Sequence, residues 1–117
     1  MTVIQSRQNA ALRHLARLGR EKKYRRSTGE MLCEGEKMLR EALASGAQVK
    51  TLLAREGWQD ALLDQAAEQG AALYCAADAL FGLASDVETP QNVVFSCRQP
   101  QWEARDLQGK RQVLLLD

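Results

Sequence analysis

The stretch EMLCEGEKMLREALASGAQVKTLLA, residues 30–54, decides the fold class. Glu30-Met31-Leu32-Cys33 reads as a short strand. From Glu36 to Ser45, Met38, Leu39, Ala42 and Leu43 recur on one face at helical spacing, and Gly46 stands where a helix stops. Val49 to Ala54 reads as a second strand. A strand, a helix and a strand with short joints make a βαβ unit, the building block of a parallel sheet covered by helices.

Working outward toward the C-terminus, the rhythm repeats. A helix over 58–69 buries Leu62, Leu63 and Ala66 and is ended by Gly70. Ala72 to Ala76 forms a strand, and Asp78 favours the start of a short helix through Leu83. Gln91 to Cys97 is the last strand of the series, with Val93-Val94-Phe95 at its centre. The expected fold is α/β: a three-layer α/β/α sandwich around a mainly parallel four-stranded sheet. Toward the N-terminus, Ser6 caps a helix reaching about Leu18, with Ala11, Leu12, Leu15 and Leu18 on the packed face. Gly19 loosens or ends it, and Arg20 to Gly29 reads as a basic loop. Residues 99–111 break the pattern and read as a linker. Val113-Leu114-Leu115-Leu116-Asp117 reads as the opening strand of a second domain, the alternative being an edge strand of the first sheet. The expected division is therefore 1–98, a linker over 99–111, and 112–117 as the first strand of a truncated domain.

Charge is unevenly distributed. The net charge of the 117 residues is +1, yet the first 26 residues hold Arg7, Arg13, Arg17, Arg20, Lys22, Lys23, Arg25 and Arg26 against the single acid Glu21. The rest of the chain is acidic. A basic face on an acidic body points to a polyanionic partner, and Arg13, Arg17 and Arg20 fall on the helix side opposite the leucines. Tyr24, among these cations, either stacks on a base or covers the helix end. The lone His14 reads as a surface or RNA-facing residue.

Several functions are excluded. One histidine supports neither a zinc site nor a Ser/His/Asp set. Isolated glycines make no phosphate loop. Cys33, Cys75 and Cys97 are odd in number and widely spaced, and read as small buried hydrophobes within strands. No apolar run is long enough for a bilayer or a secretory leader, so the expected location is the cytoplasm, with no membrane partner.

Three segments speak together: Ser6-Arg7-Gln8-Asn9 before the arginine helix, Cys33-Glu34-Gly35-Glu36-Lys37 with Glu41-Ala42-Leu43, and Glu88-Thr89-Pro90-Gln91-Asn92-Val93. In this order they resemble the N-terminal substrate-binding domain of the SpoU (TrmH-type) RNA ribose 2′-O-methyltransferases. Leu114-Leu115-Leu116-Asp117 resembles the first strand of that family's catalytic domain. Ala10 replaces a frequent proline. Asn92 replaces a glycine, in a turn where asparagine tolerates the left-handed region.

The resemblance implies a sandwich like that of ribosomal kink-turn-binding proteins, here recognising RNA, in the first place ribosomal RNA. It implies a parent enzyme that uses S-adenosylmethionine and dimerises through a catalytic domain missing from this sequence. This stretch would hold no catalytic residue, cofactor or metal and would be inactive alone. The residues expected on RNA are Arg7, Asn9, Arg13, Arg17, Arg20, Lys22, Lys23, Tyr24, Arg25 and Arg26, with Gly35 and Lys37 at a second helix start. The alternative is a non-enzymatic RNA-binding module that is complete as it stands.

Overall fold

The computed structural model describes residues 1–85 and 91–98. The linker at 99–111, the strand at 112–117 and the Glu88-Thr89-Pro90 motif lie outside them. In order, the elements are β1 (Thr2–Val3), α1 (Ala10–Arg20), α2 (Lys22–Thr28), β2 (Glu30–Glu34), α3 (Glu36–Ser45), β3 (Val49–Arg55), α4 (Ala61–Glu68), β4 (Ala72–Ala76), α5 (Asp78–Ala84) and β5 (Val93–Arg98).

The three-layer α/β/α sandwich is present, but its sheet is mixed and five-stranded, in the order β1-β4-β3-β5-β2. β1 and β3 flank β4 in parallel, whereas β5 runs antiparallel to both β3 and β2. Four strands therefore point one way and β5 alone points back. The expectation of a mainly parallel four-stranded sheet fails in two places for separate reasons. Strand–helix alternation says nothing about whether a short helix brings the chain back to the start of the sheet. The seven residues of α5 rise only about 10 Å, and β5 enters from the same edge at which β4 ends. β1 is two residues long, too short to show alternation. It is extended by Ile4, which is buried and donates its N–H to Cys75 O at 2.8 Å.

The pleat of β5 divides the core. Val93, Phe95 and Cys97 face α3 and α4, with Leu39, Leu43, Leu52, Leu62, Leu63 and Ala66. Val94 faces the other layer, with Leu12, Leu15 and Leu18 of α1, Leu53 of β3 and Phe81 of α5. Cys33 and Cys97 are buried as expected, with their sulfurs 3.9 Å apart across β2 and β5, and Cys75 is half-buried. Hydrogen bonding to Cys97, reinforced by burial, pushes the Cys33 thiol above its ordinary range.

Several boundaries are set by polar chemistry. Asn9, not Ser6, caps α1: its Oδ1 accepts from Ala11 N at 2.9 Å and Leu12 N at 3.1 Å. Ser6 Oγ instead accepts from Gln8 N at 3.0 Å in the preceding turn. The fourth helix starts at Ala61, not Trp58, because Asp60 accepts from Leu62 N at 2.9 Å. The expected basic loop is largely helix α2, stopped by Gly29 at φ 72°. Lysine and arginine are good helix formers, and Gly19 lies inside α1, where a β-carbon would stand 3.1 Å from Leu32 Cδ2.

Two polar details fix the sheet. Lys50 is an extra residue in β3, between the pairs Val49↔Cys97 and Thr51↔Ser96. At this bulge the fully buried Ser96 hydroxyl accepts from Thr51 N at 3.1 Å. At the start of α3, Gly35 has φ 102° and ψ 153°, a region essentially closed to side chains.

Replacing Ser96 by alanine is expected to cost about 1 kcal/mol, since the Thr51 amide loses its acceptor. Replacing Gly35 by alanine is expected to cost about 1–3 kcal/mol through backbone strain. Denaturant unfolding of each variant against the parent chain measures both losses.

Candidate nucleic-acid interface

α1 is strongly two-sided. Leu12, Leu15 and Leu18 are buried, and Arg13, Arg17 and Arg20 are exposed on the other side, as the sequence pattern predicts. Three buried leucines fix how the helix is rotated, so the guanidinium groups project outward by default. Arg13 and Arg20 are seven residues apart, nearly two full turns, so they share one azimuth about 10.5 Å apart along the axis. A groove of about 520 Å³ runs beside them, with Arg7, Gln8, Arg13, Arg17, Arg20 and Glu21 on its sides and Leu12, Ala16 and Leu83 forming its apolar part.

The arginines are not equivalent. Arg17 pairs with Glu21 at 3.1 Å, and its guanidinium carbon stands 3.9 Å over the Tyr24 ring. The hydrogen bond between them holds the Glu21 carboxyl below its ordinary range and pushes the Arg17 guanidinium up. Arg25 donates to Leu18 O at 2.6 Å, tying α2 to the end of α1. By contrast, Arg7, Arg13 and Arg20 have no acidic side chain within ion-pair distance among the described residues. Lys22, Lys23 and Arg26 are likewise exposed on α2.

Beneath this band, His14 is a tie rather than a surface residue. Its Nδ1 lies 2.6 Å from the Tyr24 hydroxyl and its Nε2 lies 3.0 Å from Glu30 Oε1. A neutral imidazole meets both partners when Nε2–H donates to the carboxylate and the tyrosine hydroxyl donates to Nδ1. The rings meet edge to face at 5.5 Å. α1, α2 and β2 are thus joined through three side chains. Of the two readings of Tyr24, the ring covers the helix junction.

Gly35 and Lys37 belong to a different patch. α1 and α3 both start at the edge where β1 to β4 end, but they lie on opposite faces of the sheet. There the second motif meets the described part of the third. Gly35 N donates to Val93 O at 2.9 Å, Asn92 Nδ2 to Glu36 Oε2 at 2.7 Å, and Ser85 Oγ to Glu34 Oε2 at 2.8 Å. No non-glycine described residue has a positive φ, so Asn92 serves as a hydrogen-bond donor and not as a left-handed turn residue. Gly35 is buried and Lys37 exposed.

The sequence-predicted residues therefore separate into three groups. Arg7, Arg13 and Arg20 are open cations along the groove, and Lys22, Lys23 and Arg26 are exposed cations on α2. Asn9, Arg17, Tyr24, Arg25 and Gly35 hold the local structure, and Lys37 stands apart at the sheet edge. Sequence reasoning missed Gln8 and Leu83 in the groove. Leu83 fits the apolar pattern of α5, yet 41% of it is exposed, a property set by where α1 ends up. Among the described residues no group of three or more His, Cys, Asp and Glu side chains is placed to hold a metal, and no helix is long and apolar enough to cross a membrane.

The chain is similar to known proteins over nearly its whole length. It is 31% identical over 117 residues to the 23S rRNA (guanosine(2553)-2′-O)-methyltransferase RlmP of Bacillus subtilis, and covers 44% of that protein. The fold is that of an AdoMet-bound rRNA methyltransferase from Sinorhizobium meliloti, with a TM-score of 0.78 at 23% identity, covering 90% of this chain and 39% of the other. An RNA 2′-O ribose methyltransferase superposes with a TM-score of 0.71 at 27% identity, over 88% of this chain and 40% of its own. The chain thus spans less than half the length of these relatives. Residues 9–94 match the MRM3-like substrate-binding domain, and the chain belongs to that family.

Proposed function

We propose that this chain is the RNA-recognition part of an S-adenosylmethionine-dependent ribosomal RNA ribose 2′-O-methyltransferase. The observation that carries the reading is the line of cations without an ion-pair partner among the described residues: Arg13 and Arg20 on a helix whose other side is locked into the core, and Arg7 in the turn before it. Family membership and the activities named for the relatives support it. In this reading Arg7, Arg13 and Arg20, with Lys22, Lys23 and Arg26, neutralise phosphates and position the substrate. Lys37 offers a second contact at the sheet edge.

The chemistry belongs to the rest of the parent protein. Its catalytic domain binds S-adenosylmethionine, brings two copies together and works in the cytoplasm, while the present stretch binds RNA without methylating it. A stand-alone RNA-binding module is disfavoured, because the matched relatives are methyltransferases more than twice as long as the matched region.

Replacing Arg7, Arg13 and Arg20 together by glutamate is expected to remove most affinity for structured ribosomal RNA. It should also flatten the slope of log K against log salt by about 2–3, the loss expected for three phosphate contacts. Thermal unfolding should stay within a few degrees of the parent, since none of the three is buried or paired among the described residues. Titration at several salt concentrations measures the change, and unchanged affinity in the folded triple variant removes the assignment of this face.

A further inference from the structure

Within the RNA-binding reading, on which this inference rests, we infer that the α1–α2 face takes double-helical RNA by its sugar–phosphate backbone and not a single strand by its bases. Proteins that grip single strands supply aromatic faces on which successive bases stack. The His14 imidazole is held between the Tyr24 hydroxyl and Glu30, and the only other aromatic ring in the basic region, Tyr24, is already engaged. Arg17 lies over it at 3.9 Å, its hydroxyl is bonded to His14 at 2.6 Å, and the ring packs against the α1 core. Of the other described aromatic side chains, Phe81 and Phe95 are fully buried. Tyr74 packs into the α1 and α5 layer, and Trp58 packs against the core on the opposite face.

The face does offer charge at fixed positions. Arg13 and Arg20 share one azimuth about 10.5 Å apart, and between them Arg17 is neutralised by Glu21. Arg7 extends the line at one end, and Lys22, Lys23 and Arg26 at the other. The helix beneath cannot rotate to follow a flexible strand, because Leu12, Leu15 and Leu18 are 0–1% exposed. A rigid row of cations is matched by a ligand whose phosphates are already fixed in space, which a double helix provides. Each neutralised phosphate also releases more counterion from a double helix than from a single strand, about 0.9 per contact in B-form DNA against about 0.7. The groove is open, with Leu12, Ala16 and Leu83 as its apolar part, and so suits the ribose edges lining the wide, shallow minor groove of an RNA helix.

Fluorescence anisotropy of the full chain tests this with a labelled RNA hairpin and an unstructured RNA strand of equal length, each at two salt concentrations. The expected result is hairpin binding tighter by about tenfold, steeply weakened by salt, and weakened at least as much by Arg13→Glu with Arg20→Glu. Equal or tighter binding of the single strand, still weakened by the double substitution, overturns the duplex inference and leaves the RNA-binding face intact. A folded double variant that binds both RNAs like the parent chain overturns the reading of the face, and the inference with it.

Discussion

Both helical layers are fastened to β5, the one strand that runs against the rest. Its residues from Val93 to Cys97 are all buried, with partners on either edge. The two-residue period of its pleat sends Phe95 to the α3 and α4 layer and Val94 to the α1 and α5 layer. A one-residue slip would exchange these two sets and carry the buried Ser96 hydroxyl to the opposite face of the sheet, away from Thr51 N. Ser96 binds Thr51 N where β3 carries its extra residue, and this contact penalises such a slip. The register of a single antiparallel strand therefore fixes where both faces of the sheet find their helices.

The cationic band follows from this arrangement. α1 is held by leucines packed over Val94 and Leu53, and α2 is tied to it by Arg25 and by the His14–Tyr24 pair. Burial on one side thus creates the charged surface on the other, without a separate structure to display it. Arg17 and Glu21 lower the charge in the middle of the row while bracing the helix junction. The acidic side chains around the start of α3, Glu34 and Glu36, are likewise occupied, accepting from Ser85 and Asn92.

Much of this was legible in the sequence because it rests on local patterns. The 3.6-residue periodicity gave α1 its packed face and α3 most of its own, although Met38, expected on the inner side of α3, is 44% exposed, and Gly46 marked the end of α3 correctly. The clustering of arginine and lysine before residue 27 gave the charged face. What was not legible depends on contacts distant in sequence. The direction of β5 is decided by the short reach of α5, and the pairing of β1 by an edge left open beside β4. The division of labour among the arginines is equally hidden. Arg13, Arg17 and Arg20 look alike in the sequence, and only the packing of α2 recruits Arg17 to Tyr24 and Arg25 to Leu18 O. The Ser6 cap failed because a better cap, Asn9, stands three residues on, and the loop at 20–29 because its lysines and arginines favour a helix as far as Gly29.

The engagement of Arg17 bears on how this surface changes over time. A cation that meets only phosphate needs a positive charge and reach, and lysine supplies both. A cation that lies over a ring while forking onto a carboxylate needs the fork of a guanidinium, which lysine lacks. Positions 7, 13 and 20 are therefore free to drift between arginine and lysine, whereas position 17 is bound to arginine as long as Tyr24 and Glu21 remain. In this domain the residue that stays fixed among the basic positions would mark the scaffold, and the ones that vary would mark the contact with the substrate.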